Sequence, residues 1–402
     1  MSRKLASIRK VVEIKPIERA DTIEVAKVDG WECVVKKGDF KIGDLAVYFE
    51  EGSFLPIEPR FEFLRKSCYK AFGEIEGFRL RTIKLKGQIS QGLLLRLDEF
   101  PELFVINPKL RTIKSFLLYW IYFIVTGGKF QYIPLEEGLE VTDYLGVVRY
   151  QTILENLDQN DSSNSRFKEP INRRKPFPSF IPKTDEERVQ NLPYQKIYEK
   201  FKNEPLTVTE KLDGTSFTAF RVIFKEDVTT TIKDVNYCKY GVCSRNFELE
   251  YTDKSDYSNA FIDFAIEDLL QELSIKLGIQ NLAIQGELIG PGIQGNKLNL
   301  KERELRIFNV YNIDQRDYVD FNVARDVINK CISKHEQVNC VPLITATYIL
   351  PEDRETVIEE AVMQSTLNLD KLAEGIVIRF SKDQQALSFK AINNEWLLKY
   401  GE

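Results

Sequence analysis

The stretch LDQNDSSNSRFKEPINRRKPFPSFIP, residues 157 to 182, has neither a helical nor a strand period. It runs polar, then basic, then proline-rich, which is how a linker reads. Such a break divides the chain of 402 residues in two. Its length already argues for two cores, because a single hydrophobic core rarely grows beyond about 250–300 residues. We expect an N-terminal domain over 1–150, a linker over 151–181 and a second domain over 182–402. Arg173, Arg174 and Lys175 could touch a polyanion, but they read first as solvated linker charges.

Before the linker, residues 5–14, 23–28, 32–35 and 45–49 alternate as short strands, cut by the glycine turns VDGW, KKGDFKIGD and EEGSFLP. FRLRTIKLKG and GLLLRL add further strands around GQISQG. This pattern predicts a small barrel of OB-fold size, and an SH3-like or other small barrel fits it too. The apolar run FLLYWIYFIV, Phe116 to Val125, looks inserted. It falls short of the roughly 20 residues that a membrane span needs. A buried or interfacial helix is expected there, or an oligomer contact, with no membrane partner and no protein partner implied.

Net charge −5 excludes a uniformly basic nucleic-acid coat but leaves room for local basic grooves. The six cysteines form no CxxC pair, and MSRKLASIRK carries no signal peptide, so reduced thiols in an intracellular protein, cytoplasmic or nuclear, are expected. Cys331 shares an apolar helix face with Phe321, Ala324 and Ile328 and reads as core. The single histidine, His335, cannot build a His-rich metal site or paired catalytic histidines. Covalent chemistry should therefore run through lysine or a carboxylate. GPGIQG matches the dinucleotide fingerprint by letter, but it leads through NKLNLKERELRIF into a strand rather than a helix, and no P-loop pattern occurs.

The second domain mixes helices and strands and reads as α+β. Thr184 with Glu187 forms a capping-box signature for a short helix, and Ile262, Ile266, Leu269, Leu273 and Leu277 give a helical stripe ending at Gly278. NLAIQGEL, LRIFNVYNI, EGIVIRF and ALSFKAI read as strands. In VTEKLDGTSF, Lys211 stands between two strand-like runs and is expected to open a hairpin, where a substrate can approach its amine. To act as a nucleophile that amine must lose its proton. Glu287 lies on the polar face of its strand with Gln285. Glu374 precedes Gly375 at a strand start, Lys390 sits on a late strand, and Arg245 lies in the strand-like run CSRNFEL.

Taken in order, these stretches resemble the motifs of the covalent nucleotidyltransferases, the polynucleotide ligases and mRNA capping enzymes. EKLDG resembles motif I, SRNFEL motif Ia, IQGELIGPG motif III, LRIFNVYNI motif IIIa, AEGIVIRF motif IV and LSFKAIN motif V. The N-terminal barrel and IPKTDEERVQNL are similar to the RNA ligases with an N-terminal OB module, which join 3′-OH and 5′-phosphate ends, preferentially at nicks in duplexes. The resemblance implies ATP as substrate, Mg²⁺ or Mn²⁺ as cofactor, and an RNA-repair activity passing through lysyl-AMP on Lys211. It places Glu210, Leu212, Arg188, Arg245, Glu287, Phe308 and Lys390 around the nucleotide, with Phe308 stacked on adenine and Arg188 on a capped helix. Asp213, Glu287 and Glu374 would surround the metal. Arg79, Arg81, Lys84 and Lys86 would track RNA phosphates, although their alternation breaks between Arg81 and Lys84. Ser388 departs from the motif V pattern, standing where its first lysine would be. A capping-type guanylyltransferase would use the same lysine with GTP, but it carries an OB domain after motif V, for which the residues beyond Lys390 are too few. A non-catalytic RNA-binding protein with a decayed transferase domain would have lost one of these motifs.

Overall fold

A computed structural model describes residues 4–105, 135–150, 153, 175–225, 236–250, 255–331, 336–380 and 387–401. The apolar run from 116 to 125, His335, Arg173 and Arg174 lie outside these residues. Two compact units emerge: Met1–Asp161 with Leu398–Glu402, and Ser162–Leu397.

In the first unit an antiparallel sheet runs in the order Leu93–Arg96, Leu45–Phe49, Ala6–Pro16, Ile23–Val28, Trp31–Lys36. A register shift between Val11 and Glu13 lets the long central strand bend. The sheet curls so that the segment just before Leu93–Arg96 reaches the far strand: the Gln91 N–H donates to the Glu32 carbonyl at 2.8 Å, and the Val34 N–H to the Ser90 hydroxyl at 3.0 Å, while the two edge strands themselves stay unpaired with each other. Both faces are covered, and alternation in LAVYF assigns them. Ala46 and Tyr48 join Trp31 and Val28 in one core, while Val47 and Phe49 join Ile8 and Phe100 in another. A second sheet orders Val148–Arg149, Ser53–Leu55, Ile75–Arg79 and Tyr69–Phe72. The expected OB-type barrel is thus an open, curled sheet.

The second unit holds two sheets. The larger runs Lys175–Pro176, Phe247–Leu249, Asn236–Cys243, Thr215–Lys225, Leu282–Ile289, Glu304–Asn312, Asp317–Tyr318, with Val338–Cys340 parallel to Glu304–Asn312. The smaller runs Glu187–Arg188, Leu387–Ile392, Gly375–Phe380, Leu206–Lys211, Leu343–Tyr348. Helices Ile266–Leu277 and Phe321–Asn329 pack on the larger sheet, burying Leu269, Leu273, Ile328 and Cys331 with Phe217 and Ile284. Helices and strands mix, so the unit is α+β.

Two local expectations change. The stripe from Ile262 to Leu277 is two helices, because Ala265 takes a left-handed backbone (φ 49°) and leaves Ile262 61% exposed. Thr184 and Glu187 open no helix. Glu187 and Arg188 pair in parallel with Phe389 and Lys390, which uses the backbone that a first helical turn would need. The Glu187 carboxylate accepts from the Arg188 N–H and the Asn191 amide, and the next α-helix begins at Tyr194, after Pro193. Among the described residues no helix is long and apolar enough to cross a membrane.

Candidate active site

The strands flanking Lys211 do not form a hairpin with each other. Leu206–Lys211 pairs with Gly375–Phe380 and Leu343–Tyr348, whereas Thr215–Lys225 pairs with Asn236–Cys243 and Leu282–Ile289. Residues 211–214 are the crossing from one sheet to the other. A two-residue hairpin turn needs left-handed backbone, and Gly214 is not left-handed. Glycine is required there for proximity: a Cβ at Gly214 would stand 2.4 Å from the Leu288 carbonyl oxygen. Gly375, opposite Lys211, is equally constrained, with φ 155° and an added Cβ 2.2 Å from the Ala391 carbonyl oxygen.

Register decides which side chains share the face of Lys211, because directly opposed residues point the same way. Thr209 lies opposite Val377, and Val377 opposite Lys390. Thr207 lies opposite Arg379, and Arg379 opposite Ser388. Arg188 is the partner of Lys390 on the outer strand. Lys211, Arg379, Ser388, Lys390 and Arg188 therefore occupy one face. Val208, Ile376, Ile378, Phe389 and Ala391 occupy the other and are buried in a core.

Charges gather round the crossing. The Lys211 ammonium donates to the Glu374 carboxylate at 2.6 Å, and Lys297 pairs with Asp213 at 3.0 Å. The Gly214 N–H donates to the Glu287 carboxylate at 3.1 Å. Burial, with Glu374 and Asp213 nearby, pushes the Glu287 carboxyl up to about 8 against the pull of Lys211. Burial and Glu374 push Asp213 up to about 6, against the pull of Lys297 and Lys211. Burial alone would lower the Lys211 pKa, but Glu374, Glu287 and Asp213 together outweigh it and raise it above the ordinary lysine range. The amine is held protonated by the groups that surround it.

The other candidates divide. Phe308 is the extra residue of a bulge, since Gln285 opposes Asn309 and Gly286 opposes Ile307. Bulges re-aim side chains, and Phe308 stays half-buried against the core. Arg245 sits in the turn between Asn236–Cys243 and Phe247–Leu249 rather than in a strand, and it shares the Asp185 carboxylate with Lys390, at 3.1 and 3.3 Å. Leu212 is buried in the core of the larger sheet. Arg79 stacks its guanidinium 4.1 Å from the Tyr150 ring centre, whereas Arg81, Lys84 and Lys86 are exposed, so the four do not form one strip.

Glu210 faces away from Lys211. Its carboxylate accepts from the Ser365 hydroxyl at 2.5 Å and from the Thr366 N–H and hydroxyl at 2.9 and 2.6 Å. It ties the strand of Lys211 to the 365–366 segment, and its side chain is turned away from the face that Lys211 shares. Glu210→Ala strands those donors at a cost of about 1–3 kcal/mol for each one left unmade. Its thermal midpoint should fall by roughly 5–10 °C in calorimetry; an unchanged midpoint would remove the clamp.

Three residues at the site were not singled out in the sequence: Lys297 lies outside the motif stretches, while Asp185 and Arg379 lie within IPKTDEERVQNL and AEGIVIRF without a role of their own there. Only the alternation of IVIRF, which puts Arg379 on the face of Val377, could have found one of them. An OB-fold domain model matches residues 5–97, and an RNA ligase model matches residues 204–392. The Naegleria gruberi RNA ligase solved with PPi is 34% identical, with 98% of each chain covered and a TM-score of 0.73. This chain belongs to the RNA ligase family. Two mutants of the same Naegleria ligase, one solved with ATP and Mn and the other with AMP and Mn, match this ligase at 33% identity. Their TM-scores are 0.74 and 0.72, again over 98% of both chains. No curated protein matches it.

Proposed function

We propose that this RNA ligase consumes ATP, carries AMP as a phosphoramidate on Lys211, passes it to an RNA 5′-phosphate and joins that end to a 3′-OH, which displaces AMP, at nicks in duplexes. The observation that carries the reading is the position of Lys211: it ends a strand where the chain crosses between two sheets, ringed by Asp213, Glu287 and Glu374. Each step is a displacement at phosphorus, so the site must align the groups and neutralise charge. Lys211 attacks the α-phosphate once its proton is lost, and pyrophosphate leaves. Glu374 receives the ammonium hydrogen bond and holds the amine in place. Phe308 stacks on the adenine. Lys390 and Arg188, on the face of Lys211, and Arg245, beside Lys390 through Asp185, neutralise phosphate oxygens.

The donor set suits a hard divalent ion. Asp213 and Glu287 are half-buried carboxylates that partial burial pushes up to about 6 and about 8, so a cation relieves a charge that the site disfavours. Among the described residues no three His, Cys, Asp or Glu stand close enough to hold an ion by themselves. Asp213, Glu287 and Glu374 would hold Mg²⁺ or Mn²⁺ partly through waters, and the ion would supply charge neutralisation at the transferred phosphate. We assign RNA gripping to the N-terminal unit, where Arg81, Lys84 and Lys86 are exposed to a phosphate backbone. The transferase is assigned to 182–402, after the linker over 151–181.

A panel of nicked duplexes tests the sealing reaction. Nicks with 3′-OH and 5′-phosphate RNA ends should be joined, with a transient AMP-capped 5′ end on the way. Nicks bearing a 2′,3′-cyclic phosphate and a 5′-OH should stay open. Sealing of the second kind, or sealing without ATP by unadenylylated enzyme, would overturn the reading.

A further inference from the structure

We propose that Lys297 is a built-in counter-ion of the active site, a positioning residue that holds Asp213 in the free protein and gives it up when a divalent cation enters. The inference rests on the reading that the carboxylates around Lys211 bind such a cation.

Lys297 is held from several sides. Its ammonium lies 3.0 Å from an Asp213 carboxylate oxygen, with the two side chains only 23% and 20% exposed, so this is no loose surface pair. The same ammonium stands 4.7 Å over the ring of Trp396, a favourable cation site. The chain leading to it is strained. Gln294, Gly295 and Asn296 are consecutive left-handed residues (φ 44°, 70° and 47°), and Asn299 is left-handed as well. The Asn296 side chain locks this loop by bonding to the Leu300 N–H and carbonyl at 3.0 and 2.9 Å. Asn368 donates to the Leu298 carbonyl at 2.8 Å. Left-handed backbone on non-glycine residues persists where surrounding contacts impose it, and here it delivers one ammonium to one carboxylate.

The charge balance says what that ammonium does. Asp213, Glu287 and Glu374 carry three negative charges when ionised, against Lys211 and Lys297. Each carboxylate is engaged: Glu374 by Lys211, Asp213 by Lys297, and Glu287 by the Gly214 N–H. A divalent ion that reaches Asp213 directly competes with Lys297 for it. Removing Lys297 therefore leaves the site one charge more negative and frees a ligand, which strengthens binding of a bare cation. A lysine that merely supported the loop would have no such effect.

The test needs neither ATP nor RNA. Mn²⁺ binding to the full-length protein is titrated by electron paramagnetic resonance for wild type, Lys297→Met and Lys297→Arg, with the thermal midpoint of each recorded. Lys297→Met should bind Mn²⁺ about tenfold more tightly, and Lys297→Arg, which keeps the charge, should stay near wild type. Unchanged or weaker binding by a folded Lys297→Met overturns the proposal. A second readout uses only the wild type: acylation of Lys297 by an amine-reactive reagent, followed by peptide mass spectrometry, should rise several-fold on adding Mn²⁺. Reactivity that stays level or falls contradicts displacement even if the Met variant does not fold. Both readouts can succeed in a protein that forms no AMP adduct, so failure here and failure of the ligase reading are distinguishable.

Discussion

Lys211→Ala should abolish the covalent nucleotide adduct. Incubated with ATP and Mn²⁺, the wild-type protein should gain the mass of a single AMP, and the alanine variant should remain unmodified. Removing a catalytic nucleophile costs on the order of 10⁵–10⁶ in rate, far beyond any loss from packing. The expectation rests on the proposed role of Lys211, which lies opposite Gly375, where no side chain can crowd it. Persistence of the adduct in the variant would move the nucleophile elsewhere. The same assay has a pH dependence with a definite sign. The Lys211 pKa is raised, so between about pH 6 and 9 the reactive neutral amine is a small fraction that grows as pH rises. Asp213 and Glu287 gain their negative charges as pH rises through about 6 and about 8, which favours the divalent ion while holding the lysine proton more firmly, so the growth of the neutral amine sets the sign. Adduct formation should therefore accelerate from pH 6 to 8.5, by at least an order of magnitude.

Glu374→Ala should slow lysine adenylylation by about 10²–10³, the effect of removing one well-placed electrostatic contact. Glu374 makes the shortest contact to the Lys211 ammonium and also raises the pKa values of Lys211, Asp213 and Glu287. Its loss thus has two consequences that a packing defect would not combine. The rate falls because the amine is no longer held for attack. The pH profile moves to lower pH, because without Glu374 burial acts on Lys211 with less opposition and the amine loses its proton more readily. Glu374→Gln, which keeps the shape and loses the charge, should reproduce both. Single-turnover adduct formation across pH at saturating ATP and Mn²⁺ checks this, and a normal rate would place Glu374 outside the site.

Much of this site was legible in the amino-acid order. Buried strands advertise themselves by alternation and by short apolar runs, so Leu282–Ile289, Glu304–Asn312, Gly375–Phe380 and Leu387–Ile392 stand where their sequences put them. Once those strands are placed, the motif residues Lys211, Glu287, Glu374 and Lys390 follow. The helix stop at Gly278 and the core role of Cys331 were local matters of the same kind.

Alternation tells a residue its face but not its partner, and the partner is where sequence reading ended. VTEKLDGTSF looks like a hairpin because its two halves are strands; only the competing sheets, which claim those halves separately, make it a crossing. The Thr184–Glu187 pattern is a good local cap, overridden by parallel pairing with Leu387–Ile392. Glu210 reads as a site carboxylate beside Lys211, yet strand pleating turns it to the opposite face and onto Ser365 and Thr366. The Lys211–Glu374 contact spans 163 residues of chain. Lys297, Asp185 and Arg379 entered the site only when folding brought distant segments within ion-pair reach. The order of residues determined the strands and the chemical groups they carry; tertiary packing alone decided which charges meet, because an ion pair depends on distance in space and leaves no period in sequence.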